Sequence, residues 1–464
     1  MLPRSYQAVL TQSAAAVRAC LWYKHPMARA PLSQHAPLVR AIGRWSMVAL
    51  AVNSILGSGI FGLPSAVAAL VGAASPLAML LAGGATGVII ACYAEVASQF
   101  SATGGTYLYL RRAFGRLTGI EVAWLLLLSR LTASAASVNL LVVYLGEFWP
   151  QTTQPLPRLL VITLFIGTLA AINVRGVGAG ARVSNAAVVA KLAALAIVCT
   201  AGVAYLSQHA RVVPVPVTAG AGQWLDAMLL LLFAYGGYEG ALYPMGEAKN
   251  PRRDAAFALF VSLAILAVLY TLLQYIVIAV LPDPAHSVRP LADAARVFLG
   301  DTGAAFVTVS ALVSVYGYIS ANLLTAPRGM FALAEGGDFP SVFAAVHSRF
   351  RTPYVSIVVF ALLLWSFSLL ASFSWNVTLS AVARLFYYGA ICLAVPVLRR
   401  RQPDAALVRV PGGILLPALG VLICATLLTR ADFSKSLILL ATVAIALGNW
   451  VAVRHRPDAP ATRE

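Results

Sequence analysis

Acidic residues are scarce in this chain. Asp and Glu number 16 among 464 residues, against 33 Lys and Arg, and charge of either sign makes up only 11% of the sequence. A water-exposed surface on a chain this long needs more than that. Cysteine is also rare. Cys92, Cys199, Cys392 and Cys424 lie in apolar runs and Cys20 near the N-terminus, without metal-ligand or disulfide-framework spacing, so they read as packing residues. The six histidines all fall in tails or between apolar runs, which excludes a histidine proton relay within those runs. There is no phosphate-binding G-x-x-x-x-G-K-[ST] loop and no long polar stretch that would bind ATP. No nucleophile–base constellation occurs within the apolar runs either. An enzyme is not expected, and neither a cofactor nor a metal.

What is present is apolar sequence. The chain is 60% hydrophobic, with a mean hydropathy of +0.83. Runs able to cross roughly 30 Å of hydrocarbon at about 1.5 Å per residue lie near 46–72, 76–99, 119–147, 158–173, 184–206, 223–246, 254–281, 302–329, 353–371, 377–398, 411–429 and 434–453. This predicts an all-α polytopic membrane protein with about twelve transmembrane helices. The net charge of +17 invites a nucleic-acid reading, but its placement argues otherwise. With the N-terminus in the cytoplasm, 24 of the 33 Lys and Arg fall in cytoplasmic segments, 6 outside and 3 within spans. That is the positive-inside bias. It places both termini in the cytoplasm and leaves no footprint for nucleic acid. Residues 1–45 mix Pro, Arg, Ser and Ala without apolar period, read as a mostly disordered tail with no cleavable signal. Met27 competes with Met1 as the start.

Two apolar runs are interrupted by glycine: Asn53-Ser-Ile-Leu-Gly57-Ser58-Gly59-Ile-Phe-Gly62-Leu-Pro64 and Phe233-Ala-Tyr-Gly236-Gly237-Tyr238-Glu239-Gly240. Glycine weakens a helix interior, and unwound backbone inside a bilayer survives only where protein encloses it. A lone Gly-x-Gly is more often a helix-packing device. Matching breaks in two halves of a polytopic chain point instead to a transporter's substrate site.

These residues carry a family resemblance. Gly57 to Pro64, Tyr93-Ala-Glu95 with Ser101 to Tyr107, Phe233 to Glu239 with Gly246 to Arg252, and Asn322, Pro327-Arg328 with Glu335 to Pro340 occur in order. Over most of residues 46–400 the chain resembles the amino acid–polyamine–organocation transporters. The resemblance implies a LeuT-type fold of 5+5 inverted repeats plus two C-terminal helices. The expected divisions are a tail at 1–45, a first repeat at 46–206, a second at 223–398, two further helices at 411–453 and a cytoplasmic tail at 454–464. The location implied is a cell membrane, the inner membrane of a bacterium.

Broken helices expose amides at the start of one half and carbonyls at the end of the other. Amides at Gly57, Ser58 and Gly59 would hold a carboxylate, and carbonyls of Ile55, Phe233, Ala234 and Gly236 would accept from an ammonium. A zwitterionic α-amino acid fits both. The resemblance makes Phe233 a gate, and Tyr238 and Glu239 are candidates for the specificity wall. Ionisable residues within spans are costly and functional by default. Lys191 lies about eight residues into the fifth run, where sodium-coupled members of the family bind Na⁺. The resemblance thus implies that its ammonium replaces that ion, with H⁺ as the coupling ion. Glu239 is expected to pair with Arg130 or Arg384, as a charge pair beside substrate or a structural bridge. Glu95 and Glu247 would join gate networks with Lys249, Arg252 or Arg328.

The function expected is alternating-access transport of amino acids, proton-coupled and sodium-independent. Amino acid exchange, polyamine or organic-cation transport, and a non-transporting amino acid receptor are the rivals. Partners are then the amino acid, H⁺ and membrane lipid. The fourth loop lacks a cysteine to link an external partner, so no covalent accessory subunit is expected.

Overall fold

A computed structural model describes residues 40–176, 180–212 and 218–455. The expectations for most of the N-terminal tail, Met27 and most of the C-terminal tail lie outside them. Among the described residues the chain is helical, without a β-strand; one isolated parallel bridge joins Ile42 and Ala248. The helices are α1 (Arg44–Ile55), α2 (Gly59–Val71), α3 (Ser75–Ala97), α4 (Gly105–Phe114), α5 (Arg116–Leu145), α6 (Pro155–Arg175) and α7 (Gly180–Leu206). They continue as α8 (Ala221–Tyr235), α9 (Pro251–Val280), α10 (Pro290–Glu335), α11 (Tyr354–Leu370), α12 (Phe373–Arg401), α13 (Leu415–Leu428) and α14 (Phe433–Val453).

Local chemistry sets the ends. Proline, whose fixed φ suits a first turn, opens α6, α9 and α10. Side chains cap others: Ser372 accepts from the Trp375 amide at 3.2 Å, and Asp432 from the Lys435 amide at 2.9 Å. Each such bond satisfies one orphan donor of a first turn. α10 is not continuous, since Gly300 is non-helical with φ +68°. The short helix α4 falls where the sequence reads as a loop.

Eight of the described helices are long and apolar enough to cross a membrane, and Lys191–Leu206, Tyr354–Leu370 and Leu415–Leu428 are shorter apolar helices. Large apolar side chains such as Leu370, Leu415 and Phe433 stand on the surface. Water would penalise that display, whereas hydrocarbon does not. The chain is a multi-pass membrane protein.

The core is built around the two interrupted elements. α1 ends at Ile55 and α2 starts at Gly59; α8 ends at Tyr235 and a short 3₁₀ turn, Tyr238–Leu242, follows. α2 packs along α8 while α1 packs along that 3₁₀ turn, so the breaks lie level with each other. α12 runs along α5, α10 along α5 and α7, and α9 along α1 and α3.

Candidate functional site

Close backbone approach brings the breaks together. A Cβ on Gly59 would lie 2.9 Å from the Ala234 Cα, and one on Gly237 would lie 2.4 Å from the Ser54 carbonyl oxygen. Gly237 also has φ +107°, a conformation that L side chains rarely adopt. Only glycine fits at these two crossings. Gly57 is different, because a Cβ there would make ordinary contact, 3.4 Å from the Tyr318 ring.

Between the breaks lies a small cavity of about 10 Å³, lined by Ser54, Ile55, Gly57, Ser58, Gly59, Phe233, Gly236, Tyr318 and Arg384. That is about the space one water-sized sphere occupies, too little for an amino acid. Of the expected substrate residues, Ile55, Gly57, Ser58, Gly59, Phe233 and Gly236 line it, and Ala234 instead backs Gly59. Sequence reasoning missed Ser54 and Tyr318. Ser54 had the signal of sitting on the last turn before the break. Tyr318 had none, lying in an unbroken apolar run.

The first break keeps its donors free. The amides of Ser58 and Gly59 have no hydrogen-bond acceptor among the described residues, whereas the Gly57 amide donates to the Ile55 carbonyl at 2.8 Å. Gly57 is therefore not a free donor. At the second break both glycine amides are occupied, while the Tyr238 and Glu239 amides that follow have no acceptor among the described residues. The Phe233 carbonyl accepts from the Gly236 amide at 3.2 Å and from Arg384 Nη1 at 3.4 Å. The Gly237 amide donates to Glu239 Oε2 at 3.1 Å.

Glu239 is hydrogen-bonded by neutral groups rather than salt-bridged. It makes no ion pair with Arg130 or Arg384 among the described residues. Tyr387 donates to its Oε1 and Tyr388 to its Oε2, both at 3.0 Å. With the Gly237 amide, these three neutral donors meet the needs of a buried carboxylate, so no cation has to approach. Nor does Glu239 line the cavity, and neither does Tyr238. Tyr238 is fully buried, stacked on Tyr388 at 5.3 Å and edge-on to Tyr93. Arg130 lies apart too, its guanidinium 4.4 Å over the Tyr243 ring.

Arg384 is the charge in the cavity wall. It is 3% exposed, with Nε donating to Ser129 Oγ at 3.0 Å and the guanidinium 5.5 Å from the centre of the Phe233 ring. Glycine at 236 makes room for it, since a Cβ there would fall 1.8 Å from Nη1. Lys191 is buried on α7 and donates from Nζ to Asn53 Oδ1 on α1 at 3.2 Å. Its ammonium rests against Gly317, one residue before Tyr318. Lys191 therefore reaches the first broken element rather than extending to an interface.

Ion pairs also link helices away from the cavity. Buried Asp338 receives Arg111, Tyr107 and Arg116, the last through Nε at 2.8 Å. Glu95, fully buried, pairs with Arg399 and accepts from the Val410 amide at 2.7 Å. This replaces the partners expected for Glu95. Arg252 instead donates to the Ser98 carbonyl and Arg328 to the Leu324 carbonyl. Glu147 holds Arg289 at 3.0 Å and also Arg296. No group of His, Cys, Asp and Glu suited to a metal occurs among the described residues.

Known proteins with similar sequences are carriers. Over 416 residues the chain is 26% identical to the methylthioribose transporter of Bacillus subtilis (strain 168), across 84% of this chain and 88% of that protein. It is 25% identical over 421 residues to the branched-chain amino acid permease BcaP of the same organism, across 85% and 89%. An uncharacterized transporter of Mycobacterium bovis is 28% identical over 431 residues, across 89% and 90%. Residues 42–447 match the family described as amino acid permease. The chain is thus a transporter of amino acids or related substrates, not an enzyme, and it belongs to the amino acid permease family.

Proposed function

We propose that this permease carries α-amino acids across a bacterial inner membrane by alternating access, coupled to protons and independent of sodium. The observation that carries the reading is the pair of facing breaks around a small cavity, with the Ser58 and Gly59 amides at the start of α2 unpartnered among the described residues. Unpaired amides at a helix start attract an anion, and the α-carboxylate is the group every amino acid shares. The ammonium would then meet the end of α1, where the Ile55 carbonyl has a second lone pair beyond the one used by Gly57. Phe233 would close over the substrate.

In this reading the helices form about twelve spans, two five-span inverted repeats and two further helices, with both termini cytoplasmic. The ion pairs away from the cavity are gates that open in turn. Lys191 stands in for a sodium ion, its ammonium linking α7 to α1 through Asn53. A polyamine substrate is disfavoured by the guanidinium in the cavity wall.

The test is proton flux driven by amino acid in proteoliposomes, wild type against Lys191→Gln. Acidification should fall roughly tenfold in the variant, about 1.4 kcal/mol of lost coupling, while counterflow of labelled amino acid without a pH gradient persists. Equal acidification in both would remove Lys191 from coupling. Persistence of counterflow alone in the wild type would favour exchange over symport.

A further inference from the structure

Resting on the reading of this cavity as the substrate site, we propose that the preferred substrate is an amino acid with an acidic side chain. The α-carboxylate would lie on the α2 amides and the side-chain carboxylate on Arg384.

The argument is one of charge in the cavity wall. The wall holds one full charge, and it is positive. Arg384 sits there almost wholly buried. Its Nε and Nη1 are held by Ser129 and the Phe233 carbonyl, and its Nη2 has no acceptor among the described residues. The Ser58 and Gly59 amides add partial positive charge at the same cavity. Glu239 is close enough for its charge to act on Arg384, but it lies outside the wall, makes no ion pair with Arg384 among the described residues and accepts from Tyr387, Tyr388 and the Gly237 amide. Lys191, behind Gly317, adds a further positive charge outside the wall. Arg130 is engaged with Tyr243.

A zwitterion with a neutral side chain would balance its own charge and leave the buried guanidinium without a directly paired anion in the cavity, which is costly. A cationic side chain would be repelled. A side-chain carboxylate gives the guanidinium a charge-assisted partner of matching geometry. The Phe233 carbonyl, engaged by Arg384, is also a poor acceptor for an ammonium, which leaves that group to the α1 end. Gly236 belongs to the same device, because any side chain there would push the guanidinium out.

The experiment is counterflow of labelled L-glutamate, L-glutamine and L-leucine into proteoliposomes containing the full chain. Wild type, Arg384→Lys, Arg384→Gln and Gly236→Ala are compared. Wild type should prefer glutamate over glutamine by ~tenfold or more, equivalent to about 1.4 kcal/mol. Arg384→Lys should retain part of that preference, and Arg384→Gln should abolish it. Gly236→Ala should also lose it with Arg384 still present, by displacing the guanidinium. Should both Arg384 variants fail to fold, the wild-type glutamate-to-glutamine ratio decides alone. Wild type that takes glutamine or leucine as readily as glutamate overturns the acidic-substrate proposal and leaves transport standing. Absence of counterflow with any amino acid overturns the site reading itself.

Discussion

The two breaks look alike in sequence but differ in where their open amides stand. At the first, the Gly57 amide turns back to the Ile55 carbonyl, and the Ser58 and Gly59 amides have no acceptor among the described residues. At Gly236–Gly237 both glycine amides are occupied, Gly236 on the Phe233 carbonyl and Gly237 on Glu239, and Glu239 also accepts from two tyrosines. The Tyr238 and Glu239 amides that follow have no acceptor among the described residues, and neither residue lines the cavity. A buried unpaired donor costs about 1–3 kcal/mol, and of the two sets of open amides only those of Ser58 and Gly59 belong to residues that line the cavity. In the proposed reading the second break shapes the cavity and the first receives the carboxylate.

That contrast can be broken where the two elements cross. Gly237→Ala should do most damage, because it combines a left-handed backbone, costing about 1–2 kcal/mol, with a Cβ 2.4 Å from the Ser54 carbonyl oxygen. Uptake in proteoliposomes should fall beyond detection and Tm should drop. Near-normal uptake would show that the crossing relaxes and that the contrast is not fixed by backbone contact.

Glu239→Gln sharpens it next. An amide NH₂ would then face hydroxyl and N–H donors, at a cost of about 1–3 kcal/mol. Tm should fall while the ranking of transported amino acids stays the same. A changed ranking would mean that Glu239 touches substrate and that the second break receives as well. Gly57→Ala should matter least, since its Cβ has room beside Tyr318 and the Gly57 amide remains. A change in uptake within about twofold, or roughly 0.4 kcal/mol, is expected, and a near-total loss would show that Gly57 must move during transport.

Much of the fold was legible because hydrocarbon is a simple solvent: long apolar runs punctuated by Gly and Pro became helices near the expected places. The breaks were legible for the same reason, as Gly57, Gly59, Gly236 and Gly237 stand where a helix should be regular. The directions of buried polar side chains were not. Glu239 takes its hydrogen bonds from Tyr387 and Tyr388, well over a hundred residues away in sequence, because the packing of α12 brings them to it. Arg384 was visible as a charge within a span, but its place in the cavity depends on Ser129 of α5 and on the missing Cβ of Gly236. Tyr318 was hidden because an aromatic in an apolar run carries no mark of which neighbour it will meet.

The crossings at Gly59–Ala234 and Gly237–Ser54 have a mechanical consequence. Two rods touching backbone to backbone at two separate points cannot roll or slide on one another, because each contact blocks the pivot offered by the other. In the proposed alternating-access reading the broken helices behave as one lever, and admitting a solute larger than the present cavity would swing that lever against α5, α10 and α12, carrying the Ser58 and Gly59 amides away from Tyr318 and Arg384.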